Sequence, residues 1–128
     1  MKLLLDTHAF LWFATADERL SRRARREIER EDAEIYLSAA SVWEMAIKAS
    51  LGRLTLPGSS LKGCLEAVSE QGFLPLPVEW DHAAAVSGLP FHHRDPFDRL
   101  LVAQSLTEDL PLVSIDPAFK PYGVKTIW

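Results

Sequence analysis

Four acidic residues stand where a parallel α/β sheet would bring them together. Asp6 ends the first predicted strand and Asp116 ends the fourth. Glu44 and Asp98 fall in the first turns of two predicted helices, whose N-termini can face the same edge of the sheet. Because ligand sites in such sheets lie at the carboxyl ends of the strands, we expect the four carboxylates to converge.

A cluster of four carboxylates is favourable only if a cation occupies it. Two like charges about 4 Å apart repel by roughly 4 kcal/mol at an effective dielectric near 20. Mg²⁺ and Mn²⁺ take oxygen ligands in octahedral geometry, and Mg²⁺ keeps several of its waters. An ion held in this way lowers the pKa of a bound water and neutralises charge on phosphate oxygens. The predicted chemistry is therefore hydrolysis of a phosphodiester bond.

Strands and helices alternate along the chain. Short aliphatic runs predict the strands, and apolar residues at helical spacing predict the helices between them. The predicted strands are 2–5, 34–37, 73–78, 112–115 and 124–127, and the predicted helices are 7–16, 21–30, 41–51, 59–71, 79–87 and a last one capped by Asp95, with a turn at 55–58. This order predicts a three-layer α/β/α sandwich around a mostly parallel sheet.

Composition limits the classes of protein that remain. The chain has 128 residues, the size of one domain, so we expect a single domain over residues 1–128. Its apolar runs are too short for a membrane span, and Asp6 interrupts any signal peptide, which predicts a cytoplasmic protein. Cys64 is the only cysteine, so no intrachain disulfide forms. The net charge of −4 is unfavourable for a broad basic nucleic-acid surface, so RNA would be held locally with the help of a metal.

Four motifs follow one another over nearly the whole chain. They are MKLLLDTH at residues 1–8, SVWE at 41–44, DPFDRLLVAQ at 95–104 and LVSID at 112–116. Together they resemble the motifs of PIN-domain toxins of the VapC family. The resemblance implies a PIN-like fold in which Asp6, Glu44 and Asp98 are the core metal-binding acids and Asp116 is a more variable fourth.

The resemblance also implies an activity and partners. It implies an endoribonuclease that uses Mg²⁺ or Mn²⁺ and leaves 5′-phosphate and 3′-hydroxyl ends. It implies a homodimer and a small cognate antitoxin that blocks the groove, so that toxin and antitoxin form a hetero-oligomer. Ser114 falls at the position of a small hydroxyl residue that supports the site.

Each acid also has a purely structural interpretation. Ser41 and Glu44 have the spacing of a capping box, in which the glutamate returns to the start of its own helix. Asp95 before a proline is a common helix cap. Asp98 could complement the helix dipole, and Asp116 before a proline could be a turn residue. We assign capping to Asp95. We assign metal binding to Glu44, Asp98 and Asp116, because these three acids align with Asp6 in one predicted site.

Basic and aromatic residues have interpretations of their own. Arg94 and Arg99 flank the predicted site and are placed to hold phosphate. His93 is interpreted as a loop histidine near phosphate, because no further His or Cys stands at zinc-ligand spacing. The apolar run 10–13 cannot face one core completely, so part of that helix is predicted to meet a partner. The arginine-rich segment 19–31 also carries glutamates, which favours a solvated helix face.

Three other functions fit parts of the sequence. A receiver-like signalling domain has a similar length and an acidic pocket, but Asp6 lacks an adjacent acid and no Asp stands in 51–66 to accept phosphate. A phosphatase of the haloacid dehalogenase type needs a second acid where His8 stands. A catalytically silent PIN-fold binding module would be marked by loss of a core acid, and all of the core acids are present.

Overall fold

The computed structural model describes residues 1–56 and 60–128. The predicted turn at 55–58 and the start of the helix predicted over 59–71 reach into residues that lie outside this described part. The strands are β1 (Lys2–Leu5), β2 (Glu34–Ser38), β3 (Leu74–Leu76), β4 (Leu112–Val113) and β5 (Thr126–Ile127), the helices are α1 (Thr7–Ala14), α2 (Arg22–Glu29), α3 (Ala39–Ser50), α4 (Leu61–Glu70), α5 (Trp80–Ala85) and α6 (Pro96–Glu108), and two 3₁₀ helices are Val86–Gly88 and Pro117–Tyr122.

These five strands form one parallel sheet in the order β3-β2-β1-β4-β5. β1 lies at the centre, where Leu4 is paired with Tyr36 of β2 on one side and with Leu112 of β4 on the other. Helical segments connect successive strands, as parallel pairing requires. The predicted parallel α/β architecture is confirmed.

Alternate residues of β1 face opposite sides of the sheet. Leu3 and Leu5 pack in one core with residues of α1 to α4, whereas Leu4 packs in a second core with α6 and the second 3₁₀ helix. All three leucines are fully buried, and each such burial stabilises the fold by about 1.5–3 kcal/mol. Because helices cover both faces, the molecule is the expected three-layer sandwich.

Several element boundaries differ from their predicted positions. α3 begins two residues earlier than predicted, because the Ser38 hydroxyl at the end of β2 accepts the Ala40 N–H at 3.0 Å. β3 has 3 residues instead of the expected run 73–78, since Pro75 and Pro77 have no N–H to donate to a neighbouring strand. β4 and β5 are also shorter than predicted, with 2 residues each.

The aromatic residues of α1 pack against other parts of the chain. Phe10 is fully buried, Trp12 packs edge-on against Trp128, and Phe13 stacks on Phe73. Neighbours within the chain therefore cover part of the apolar run 10–13, and Leu11, Trp12 and Phe13 stay partly exposed. The contact of this helix with a partner protein stays a prediction.

The described helices are short. The longest of them, α6, has 13 residues, or about 20 Å at 1.5 Å per residue. Within residues 1–56 and 60–128, no helix has both the length and the apolar character needed to cross a membrane.

Candidate active site

The strand order has a switch point between β1 and β4. From β1 the chain moves outward to β2 and β3, and from β4 it moves the opposite way to β5. Open α/β sheets bind ligands in the crevice at such a point, outside the carboxyl ends of the strands. Asp6 directly follows β1, Ser114 directly follows β4, and Asp116 comes two residues later. The topology therefore delivers both predicted strand-end acids to one crevice.

Asp6 is a buried carboxylate that also starts a helix. It is 5% exposed, and its Oδ1 accepts the Ala9 N–H at 2.7 Å as the N-cap of α1. Burial raises the pKa of Asp6, while hydrogen bonds from Ser114 and Ala9 and the nearby His8 oppose the shift and Asp116 adds to it. The Ser114 hydroxyl also accepts the backbone N–H of Asp116 at 3.0 Å. Ser114 thus contacts the backbone of Asp116 and lowers the pKa of Asp6, and its supporting role stays a prediction.

Glu44 points toward the start of α1 instead of the start of its own helix. Its Oε1 accepts the Thr7 hydroxyl at 2.7 Å, and its Oε2 accepts the Lys48 ammonium group at 2.8 Å. The capping-box interpretation is wrong, because Ser38 caps α3 and the buried Ser41 hydroxyl has no hydrogen-bond partner among the described residues. Since α3 starts earlier than predicted, Glu44 lies in its second turn, not its first.

Asp95 and Asp98 stand at the start of α6. Asp95 is the N-cap, and its Oδ1 accepts two backbone N–H groups of the first turn at 2.8 and 3.2 Å. Asp95 therefore caps the helix, as predicted. Burial, together with the charges of Asp95, Glu44 and Asp6, raises the pKa of Asp98 to about 7, although His93 opposes the shift. The charges of Glu44 and Asp6 therefore act on Asp98, although among the described residues the cluster within 4.8 Å consists of His93, Asp98 and Asp116 alone.

His93 bridges Asp98 and Asp116 as a hydrogen-bond donor. Its Nε2 lies 3.1 Å from Oδ2 of Asp98 and 3.2 Å from Oδ2 of Asp116, whose Oδ1 accepts the Ala118 N–H at 2.9 Å. The backbone N–H of Asp95 donates to Nδ1 of the ring at 3.1 Å, so that nitrogen carries no proton. The neutral ring therefore has its proton on Nε2. Nε2 donates to the carboxylates and has no lone pair to offer a metal.

The donor set of this site fits a hard divalent cation. One oxygen each of Asp98 and Asp116 lie within 4.8 Å of each other and of the His93 ring nitrogen, which orients the two carboxylates and is not itself a ligand. Carboxylate oxygens are the ligands that Mg²⁺ and Mn²⁺ prefer. Burial is the main cause of the raised pKa of Asp98, and the charges of Asp95, Glu44 and Asp6 add to it. A divalent ion would offset this repulsion, with Asp98 and Asp116 as its nearest ligands and Asp6 and Glu44 as the further expected ones.

Comparisons with known proteins identify the family. The family model described as the PIN domain matches residues 3–125. Ribonuclease VapC22 of Mycobacterium tuberculosis is 34% identical over 118 residues, which cover 89% of this chain and 86% of that protein. This chain is a PIN-domain protein of the VapC family. The resemblance found in its sequence motifs is confirmed.

Solved structures share the fold of this PIN domain. The structure of VapBC2 from Rickettsia felis, bound to a DNA fragment from the promoter, has a TM-score of 0.73 at 12% identity and covers 99% of this chain and 98% of that one. FitAcB from Neisseria gonorrhoeae has a TM-score of 0.67 at 20% identity, covering 100% of this chain and 97% of that one. At these identities the likeness supports the fold alone.

Arg99 lies inside the PIN domain instead of facing the crevice. It is 6% exposed, and its guanidinium donates to the carbonyl oxygens of Pro90 at 2.8 Å, Val86 at 3.2 Å and Leu89 at 3.3 Å. These bonds hold the loop ahead of the site, so the expected role of Arg99 in holding phosphate is not supported by its position. Arg94 is exposed, which is compatible with that role.

Sequence reasoning missed three residues that position the site of this PIN domain. Thr7 was detectable as the residue directly after Asp6. Lys48 stands four residues after Glu44, the spacing of an ion pair on a helix. The Tyr122 hydroxyl accepts the backbone N–H of His93 at 2.9 Å, and no local pattern predicts this contact because 29 positions separate the two residues.

Proposed function

We propose that this VapC-family protein is a metal-dependent endoribonuclease and the toxin of a toxin–antitoxin pair. The observation that carries the proposal is the acidic site at the switch point of the sheet, where Asp98 and Asp116 meet at His93 and the charges of Asp6 and Glu44 act on Asp98. The ribonuclease to which the chain is 34% identical supports RNA as the substrate class. Mg²⁺ or Mn²⁺ is the proposed cofactor.

The proposed reaction divides its tasks among these residues. A divalent ion bound by the carboxylates would activate water for attack on phosphorus and neutralise charge on the phosphate oxygens. Backbone N–H groups fix one oxygen each of Asp6 and Asp116, so their carboxylates are oriented before any ligand arrives. His93 holds Asp98 and Asp116 toward the same space through its Nε2–H group. Each of these contacts reduces the reorganisation that cleavage would require.

The approach of RNA to this crevice has an electrostatic requirement. The net charge is −4 and the site itself is acidic, so a phosphodiester is repelled unless a cation intervenes. Arg94 is exposed directly before the cap of α6 and is the proposed protein contact for a neighbouring phosphate. Affinity for RNA is therefore expected to depend on divalent metal.

An exposed apolar stripe on α3 supports protein partners. Trp43, Ile47 and Leu51 are 62%, 37% and 61% exposed and stand four residues apart. Trp43 and Ile47 therefore share one face of α3, and Leu51, the C-cap, continues that face. Glu44 follows the first of them directly. We assign this stripe to protein contacts, with the cognate antitoxin and a second copy of the chain as the partners implied by the family. A cytoplasmic location, where RNA substrates occur, is part of the same proposal.

The deciding experiment is cleavage of total RNA by purified protein freed of antitoxin. Reactions would contain Mg²⁺, Mn²⁺ or a chelator, and would compare wild type with Asp98→Asn. The matched control is Asp81→Asn, which neutralises an exposed acid of α5. We expect metal-dependent cuts that are lost in Asp98→Asn and kept in Asp81→Asn. Intact RNA from folded wild-type protein in every metal would instead favour a catalytically silent binding module.

A further inference from the structure

Phe91 presents a flat aromatic face to solvent in the loop that leads to His93. Its side chain is 85% exposed, although it belongs to a loop of a well-packed domain. The guanidinium carbon of Arg99 lies 4.2 Å from the centre of the ring, a distance typical of a cation–π contact. One face of the ring therefore covers Arg99, and the opposite face is open.

The support beneath this ring is rigid. Besides the three backbone carbonyls that it binds, the Arg99 guanidinium lies 3.4 Å from the Tyr122 hydroxyl, which in turn accepts the His93 N–H at 2.9 Å. Arg99 is 6% exposed, so its side chain has little freedom to move. An aromatic ring on such a base loses little conformational entropy when it binds a ligand.

The position of Phe91 relates it to the reacting centre. It stands two positions before His93, so the two Cα atoms are at most about 7 Å apart, and His93 contacts Asp98 and Asp116. His92 and Arg94 in the same loop are exposed and add polar and cationic groups. An open aromatic face beside cationic groups is the combination that binds single-stranded nucleic acid.

We infer that Phe91 is a stacking platform for a base of the RNA next to the cleaved phosphate. This inference rests on the proposed ribonuclease function and adds a substrate contact to it. A single-stranded or unpaired segment is required, because only an unstacked base can lie on the ring. RNA is favoured over a protein partner because Phe91 stands two positions before His93, which contacts two of the acids, in a loop that carries the exposed Arg94.

The test measures binding of the RNA that the wild-type protein cleaves. All proteins carry Asp98→Asn, so that the RNA stays intact, and are compared with added Phe91→Ala, Phe91→Leu or Phe91→Tyr. We expect Ala and Leu to weaken binding roughly tenfold, because base stacking on an aromatic ring is lost, and Tyr to retain it. Phe91→Leu keeps apolar bulk, and unchanged thermal unfolding of the variants shows that the loop is intact.

The matched control is Trp80→Ala, which removes an aromatic residue that is 93% exposed. Its helix α5 contacts the C-terminal end of α6, where His82 and Glu108 lie 2.7 Å apart. Glu108 is ten residues, or about 15 Å along the helix axis, from Asp98. Binding of RNA should not change in this variant. An equal loss in Trp80→Ala and Phe91→Ala would overturn the assignment, because it would indicate a general contribution of exposed aromatic residues.

A second measurement locates the stacked base. Single abasic sites are placed in turn along the bound RNA. At one position next to the cut, loss of the base should weaken binding as much as Phe91→Ala does, and the two changes together should not be additive. Unchanged RNA affinity of Phe91→Ala, with wild-type cleavage intact, would refute the platform and leave the nuclease standing. Absence of cleavage in any metal would refute the nuclease itself.

Discussion

The hydroxyl of Thr7 donates a 2.7 Å hydrogen bond to Oε1 of Glu44, across 37 positions of the sequence. Both residues are buried. The bond joins the first turn of α1 to the second turn of α3, and Asp6 caps the same turn of α1. Two of the site carboxylates are therefore positioned by one helix start.

Replacing Thr7 with Val should impair the site through Glu44. The substitution keeps the shape of the side chain but removes the donor, which leaves a buried carboxylate oxygen with one partner fewer and should cost about 1–3 kcal/mol of stability. We expect cleavage to fall roughly tenfold or more, because Glu44 is no longer fixed. Thr7→Ser, which keeps the hydroxyl, is the control. Urea unfolding and single-turnover cleavage are the measurements, and a Val variant that cuts like wild type would rule out this positioning role.

The raised pKa of Asp98 makes the stability of the metal-free protein depend on pH. The unfolded chain releases this proton near pH 3.8, whereas the folded chain holds it up to about pH 7. Between these values the folded state binds more protons, so the free energy of unfolding should fall as pH rises. Asp98→Asn should lack this part of the decline. Urea unfolding in chelator across this range tests the sign, and identical pH profiles of the two proteins would contradict it.

Asp6→Asn should separate the chemistry of the site from the stability of the fold. Asparagine also caps helices. The substitution removes a buried carboxyl group whose pKa is raised by burial. We expect cleavage to be lost and metal-free stability to rise slightly. Mg²⁺ should raise the melting temperature of wild type and have a much smaller effect on the variant. Asp6→Ala, which also removes the cap, should be less stable than Asp6→Asn by about 0.5–2 kcal/mol.

The two arginines near the site should respond differently to substitution. Arg99→Lys removes a planar donor set that binds several carbonyl oxygens, and we expect it to destabilise the protein by about 3 kcal/mol. Arg94→Ala changes an exposed residue and should leave stability within about 0.5 kcal/mol. It should weaken RNA binding, and it should lower by about 0.7 the steepness with which the logarithm of the RNA affinity falls with the logarithm of the salt concentration. Equal effects of both variants on RNA affinity, with stability unchanged, would show that Arg99 faces RNA after all.

The placement of the two strand-end acids was predictable because it follows from topology. Asp6 and Asp116 come after parallel strands, and such strands end at one edge. The orientation of neighbouring groups was not predictable in the same way. Arg99 stands one residue after Asp98, but a helix turns about 100° per residue, so its side chain enters the interior. The role of His93 depends on Nδ1 accepting a backbone N–H, which residue types alone do not reveal.

Three carboxylates of this molecule, those of Asp6, Asp95 and Asp116, also begin helical segments by accepting backbone N–H groups. A substitution at such a position can therefore remove the charge with or without removing the helix start. Asparagine preserves the helix start while removing the charge, so we expect a folded but inactive protein. An apolar residue removes both, so the same loss of activity would come with a less stable chain that proteases degrade more readily. Loss of activity and loss of the protein itself are therefore separable at these three positions.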